Sequence, residues 1–347
     1  MISDFFRTSA FLLPALLIAS AAAHADPLFE DNRTLDAQLT TDLTTLTQRE
    51  QPELTAEFTI DDASYPIKVR TRGKSRLKFC QFPPLWLDFD KDELDGSILA
   101  NQNRIKLVTH CADPYAMKFT TLITSELLAY RLLNLLTPRS FRVRALNLTY
   151  QDAEIGPDGS LTAKKNKPKT FPAFLIEHKR RLGKRLELTE TDLNALEILQ
   201  LNPSHAALID MFQFLIANTD YSQLQGPPGD RCCHNTVAFS DGSAFYPIPY
   251  DFDASGIVSP PYAGPNTNLG LSEWTQRRFR GICDFNAETR QARQTFIDLK
   301  PEIFALIENF DELPNLARPR IVRSVKRFYR IIERDKSFES RVIKKCR

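Results

Sequence analysis

The sequence predicts an α+β chain of two lobes, on three observations. Strand-like runs crowd the first half. Helix-like runs fill the second. Between a core helix and the later helices sits a short β segment dense in Asp, Asn and His. The 347 residues carry a net charge of only +2, so the molecule as a whole is not built to hold polyanions.

The elements follow in order. After Arg7 comes "TSAFLLPALLIASAAAHA", an apolar run ending in small residues. Ala23 and Ala25 fit an A-x-A cleavage pattern, which predicts a signal peptide over 1–25 and a mature chain from Asp26, exported to a periplasm or secreted. A membrane anchor is the other reading, but the apolar core is short and alanine-rich for a span of about 20 residues. Residues 26–54 read as an N-terminal extension, 55–185 as a first lobe and 186–347 as a second. Leu54–Ile60 and Tyr65–Thr71 are strands around "DDAS", followed by "TRGKSR", "LWLDF" and "RIKLVT". Residues 119–137 have helical spacing. "SFRVRALNLTYQD" and "FPAFLIEH" are strands around a polar loop, with Arg142 and Arg144 on one side, reaching substrate or solvent, and Glu177 near a nucleotide base or inert. "TETDLNALEILQL" predicts a helix capped by Thr189 or Thr191, and "PSHAALIDMFQFLIANTD" a buried one. "HNTVAF" and "AFYPIPYDF" form a hairpin around "SDGS".

The tail, 317–347, is strongly basic. Ile321, Val325, Phe328 and Ile332 recur at helical spacing, so a helix with an apolar face and a cationic back is expected. It either meets an anionic partner, such as an envelope surface, or packs with its charged face in water. Beyond this tail nothing signals nucleic-acid binding. The six cysteines suggest up to three disulfides in an exported chain: Cys80 with Cys111, and Cys232 and Cys233 going to different partners. Zinc held by Cys232, Cys233 and His234 with His110 and Cys111 is the rival reading.

The polar constellation is ordered like the parts of a phosphoryl-transfer site. Such chemistry needs a base for the acceptor hydroxyl, oxygens for a divalent ion and a cation for the phosphates. Asp220 follows the core helix, Asn235 opens a strand and Asp251 ends the next one. Earlier, Lys106 lies in a strand and Glu126 on the helix after it. Lys78 competes with Lys106, and Asp253 with Asp251. "DFDASG" also looks like the start of a calcium loop, but its twelfth position is Tyr262 rather than Glu.

"FQFLIANTD", "CCHN" and "PIPYDFDASG", with "RTRGKSR" and "SELLAYRLLNLL", resemble the spore-coat protein H (CotH) kinase family over about residues 55–285. The resemblance implies an atypical protein-kinase-like two-lobed fold, with a strand-rich N-lobe and a helical C-lobe. It implies phosphate transfer from ATP to a protein Ser or Thr, or another hydroxyl, with Mg²⁺ or Mn²⁺. Asp220 would be the catalytic base, with Asn235 and Asp251 the metal ligands and Asp253 the alternative. Lys106 would hold phosphates and Glu126 would orient it. Arg72-Gly73-Lys74-Ser75 resembles the family's R-G-x-S element, whose backbone N–H groups would cradle a phosphate. The alternative from another class is a non-catalytic envelope binding or assembly protein using the same cleft.

Overall fold

Alternating apolar residues organise the first half. In β1 (Leu35–Thr41), β2 (Leu54–Ile60), β3 (Ala63–Thr71), β4 (Leu85–Phe89) and β5 (Arg104–Val108), every second side chain turns inward; Leu39, Phe58, Val69, Leu87 and Leu107 are all buried. β6 (Val143–Ile155), β7 (Leu161–Ala163) and β8 (Lys169–Ile176) complete the set. The computed structural model describes residues 26–48, 53–74, 76–111, 117–273 and 275–347. The expected signal peptide and Ser75 lie outside the described residues.

The strand order is β1-β2-β3-β4-β5-β8-β6, and β6 returns to pair with β1, closing a seven-stranded mixed barrel with β7 as a short annex. That closure corrects the expected two-lobed kinase-like fold. The cause is β1, which lies in the segment read from sequence as an extension. It pairs antiparallel with β2 and parallel with β6, from Leu35 opposite Leu146 to Thr41 opposite Asp152. A sheet with its two edges joined has no open lobe edge. The barrel interior holds one apolar cluster.

Arg142 and Arg144 do not share one solvated side: Arg142 is only partly exposed and Arg144 is not exposed at all. Arg144 is fully buried and donates to the carbonyls of Leu28 and Arg33, besides pairing with Asp31. Arg142 pairs with Asp26 and with Glu177, which Arg185 also holds. These residues pin residues 26–33 onto the barrel, and Glu177 serves that structural network.

Short helices α1 (Leu43–Leu46) and α2 (Arg76–Phe79) decorate the barrel, and α3 (Met117–Leu136) packs on β8. α4 (Lys179–Leu186) leads to α5 (Pro203–Leu215), which is capped by Asn202 and starts with proline, a good first helical residue. α6 (Asn286–Asp298), α7 (Lys300–Glu308), α8 (Arg318–Ile332) and α9 (Asp335–Arg341) follow. A second cluster spans Phe212, Phe252, Phe296 and Phe328 across them. The expected helix over "TETDLNALEILQL" does not form. Thr189–Glu190 instead makes β9, pairing with β10 (Thr236–Ser240), which in turn pairs with β11 (Phe245–Pro249). Leu196 and Leu201 are drawn into a third cluster with Ala206 and Ile282. Tertiary burial overrides a weak helical preference here.

Cys80 bonds Cys111 and Cys283 bonds Cys346, the mark of an oxidising compartment. Cys232 and Cys233 are joined to each other, not to separate partners. With no free cysteine among the described residues, the zinc set has no thiolate to offer; His110 is stacked between Phe82 and Phe171 instead. No helix among the described residues is long and apolar enough to cross a membrane. Cys80 and Cys111 are 31 residues apart, so replacing both by serine is expected to cost about 3–4 kcal/mol through the freed unfolded chain. Urea unfolding without reductant checks this, and an unchanged midpoint would remove the bridge as a stabiliser.

Candidate functional site

The site lies where the C-terminal end of β11 meets β4 and β5 of the barrel. Asp251 follows β11 in the left-handed region, φ 61°, and its N–H donates to the Tyr130 hydroxyl of α3 at 2.9 Å. Asn235 enters β10 with φ 52°, and its carbonyl accepts from Tyr250 N–H, so Asn235 and Asp251 leave the hairpin side by side. Such backbone angles are uncommon outside glycine except for Asn and Asp.

Asp220 arrives from the end of α5. Its N–H donates to Asn218 Oδ1, and Arg280 grips the carbonyls of Thr219 and Tyr221. Ser222 N–H donates to the His234 carbonyl at 3.0 Å. That one bridge brings Asp220 beside His234 and Asn235, and residues 225–231 between them loop outward. His234 Nε2 lies 2.7 Å from Asp220 Oδ1, and Asn235 Nδ2 donates to Asp220 Oδ2 at 3.0 Å. The hydrogen bond to Asp220 raises the pKa of His234 above its usual value.

Lys106 and Arg72 form the cationic side. Lys106 is half-buried on β5, its ammonium 4.6 Å from the Tyr250 ring centre and 5.6 Å from that of Trp86. Arg72 also lies over Trp86, and its Nε is buried without a hydrogen-bond partner. Neither cation has an ion pair among the described residues. Burial, then the charge of Arg72, press the Lys106 pKa down to about 7, against the pull of Asp251. Lys78 is exposed on α2, which leaves Lys106 as the lysine of this site.

Glu126 does not orient Lys106. It is buried and accepts from Arg76 Nη2 at 2.7 Å. The same guanidinium reaches Asp251 at 3.1 Å and Asp253 at 2.8 Å, so one buried arginine gathers three carboxylates. Tyr262 adds its hydroxyl to Asp253 at 3.1 Å. Burial lifts Glu126 to about 7, and burial plus repulsion from Asp253 lifts Asp251 to about 6. Burial would also raise Asp253, but Arg76 outweighs it and holds that carboxyl low. Nothing in the sequence marks Arg76 as this hub beyond an arginine following a glycine turn, a pattern too common to single out.

Gly73 has φ 103°, which glycine alone adopts easily, so the turn that sets Arg72 against Arg76 requires it. The neighbouring Lys74 pairs with Asp230 of the outward loop at 2.8 Å. The residues do not fit a resident Mg²⁺ or Mn²⁺. Asp253 is taken by Arg76 and Tyr262, and Asp251 gives one oxygen to Arg76. Among the described residues, no group of three His, Cys, Asp or Glu is placed to hold a metal ion. The "DFDASG" loop does curl so that its twelfth residue, Tyr262, meets its third, Asp253. It closes on a hydroxyl and an arginine where a calcium loop would offer carboxylates to the ion.

No family model and no curated protein matches the chain. The likeness to the CotH family therefore stands on the quoted residues alone.

Proposed function

We propose that the protein is an exported phosphotransferase, moving a phosphoryl group from a nucleotide, ATP in the first instance, to the hydroxyl of a protein Ser or Thr or of a small molecule. Export through a cleaved signal peptide to a periplasm or the outside is part of the proposal. One observation carries it: among the described residues Lys106 and Arg72 are paired with no carboxylate and lie against Trp86 and Tyr250, and Tyr250 immediately precedes Asp251. Two unanswered cations beside a carboxylate–imidazole pair suit an anion at one end and a hydroxyl at the other.

In this reading the acceptor oxygen bonds the γ-phosphorus as the bond to the bridging oxygen breaks. The hydroxyl proton passes to Asp220, and the nucleoside diphosphate leaves with its new charge against Lys106 and Arg72. His234 holds the Asp220 carboxylate in place, and no step is assigned to a divalent ion. A second reading, a binding protein without catalysis, is favoured by Arg76, which occupies oxygens of Glu126, Asp251 and Asp253.

Transfer of labelled γ-phosphate by the mature protein separates the two. Asp220→Ala is expected to lose about 10²–10⁴-fold in transfer rate while still binding ATP by calorimetry. Equal transfer by both proteins would remove Asp220 from the reaction. ATP binding with no transfer by the wild type would leave only the binding role.

A further inference from the structure

Away from that site, a groove of about 580 Å³ opens between α8, the C-terminal tail and the segment before α6. Its floor is apolar, with Phe214, Phe279 and Ile331. Its rim is mostly cationic. Arg327, Arg330 and Arg334 come from one face of α8 and the turn after it, and all three are exposed. Arg277 and Arg278 face them from the preceding segment, and Arg341 and Lys345 from the tail. No Asp or Glu among the described residues lines it.

The absence of partners is local. Elsewhere in the same region the acids are taken: Glu333 pairs with Lys300, Asp335 with Arg293 and Glu339 with Arg290. None of the groove's cations makes an ion pair among the described residues. Arg277 answers part of its charge by donating to the carbonyls of Phe214 and Leu215 at the end of α5 and to Ser324. Burial and the neighbouring Arg327 still depress its pKa to about 9. Like charges lining one groove repel one another, the more so where water is excluded. An opposite multivalent charge would relieve that repulsion.

The groove is also built rather than incidental. The Cys283–Cys346 bridge ties the tail to the segment before α6. Backbone bonds from Cys283 N–H to Arg347 and from Arg347 N–H to Gly281 reinforce it. Val342 and Phe338 are buried beneath, so Arg341 and Lys345 are held on the rim.

We infer that this groove is a binding site for an anion bearing two or more phosphate groups, either free or as the headgroup of a lipid. Cations from three separate stretches match several phosphates better than one, and the volume suits a small polyanion.

The test uses inorganic tripolyphosphate, and phosphatidylcholine vesicles with and without cardiolipin, titrated against three proteins: wild type, Arg327→Glu/Arg330→Glu and Lys106→Met. The expected result is at least a tenfold loss of affinity in the double variant for whichever probe binds; any component that Lys106→Met alone removes belongs to the nucleotide site. Binding of tripolyphosphate assigns a free anion, and binding of cardiolipin vesicles alone assigns a lipid headgroup. Both arginines are exposed, so the double variant is expected to melt no lower than wild type. Equal binding by wild type and the double variant, loss only in Lys106→Met, or no binding of either probe would overturn the inference. Cys283→Ser/Cys346→Ser, which frees the tail wall, is expected to weaken binding as well; should it fail to fold, the arginine variants still decide.

Discussion

Arg76→Ala is expected to lower folding stability by about 3–5 kcal/mol, because it leaves buried charges without their counter-ion. Glu126, Asp251 and Asp253 all point at one guanidinium whose side chain is 8% exposed. Lysine would not substitute. An ammonium presents a compact point charge, whereas the planar guanidinium offers Nε to Asp253 and Nη2 to Glu126 and Asp251 at once. The loss has a definite pH dependence. Without Arg76 the three carboxyls would titrate above their unfolded values, so the folded variant binds more protons than the unfolded chain between about pH 4 and the raised pKa values. Stability of the variant therefore falls as pH rises through that window. Urea unfolding of both proteins at pH 5 and pH 8 is expected to show the larger deficit at pH 8. A deficit that is equal at both values, or absent, would mean that Arg76 is not the hub of this cluster.

Much of the secondary structure was legible because alternation and helical spacing are local properties. The strands from Leu54 to Val108 and the amphipathic helix ending at Ile332 follow from them directly. Barrel closure was not legible. It depends on Leu35–Thr41 meeting Val143–Ile155 in parallel, over a hundred residues away, and no local pattern encodes that partner. The site was legible in part. The order Lys106, Asp220, Asn235, Asp251 carried the expectation that these groups meet, and the fold brings them to one end of the hairpin and barrel. The pairing was not legible: Glu126 could have met either Lys106 or Arg76. Its choice follows from the Gly73 turn, whose positive φ brings Arg76 inward. The bond between the adjacent Cys232 and Cys233 was likewise not legible, because sequence carries no record of connectivity.

Lys106→Met is expected to do two opposite things. It should weaken ATP binding roughly 10–100-fold, the worth of a charge-assisted hydrogen bond to phosphate. It should also raise folding stability by roughly 1–2 kcal/mol, a gain typical of removing a strained functional group. The reason is the depressed pKa, about 7 in the folded protein against 10.5 for the ordinary group. Between those values the unfolded chain binds a proton that the folded protein has released, so Lys106 costs stability, and the cost shrinks as pH climbs toward 10.5. Below about pH 7 both states carry the proton and the cost is complete. The melting advantage of the methionine variant is therefore expected to be full at pH 6.5 and smaller at pH 9. Contacts with Trp86 and Tyr250 work against this gain, but methionine keeps the apolar stem that packs there. If the variant instead melts below wild type at pH 6.5, the ammonium is a structural cation already satisfied by the two rings. The phosphate-holding role assigned to it would then lose its physical basis.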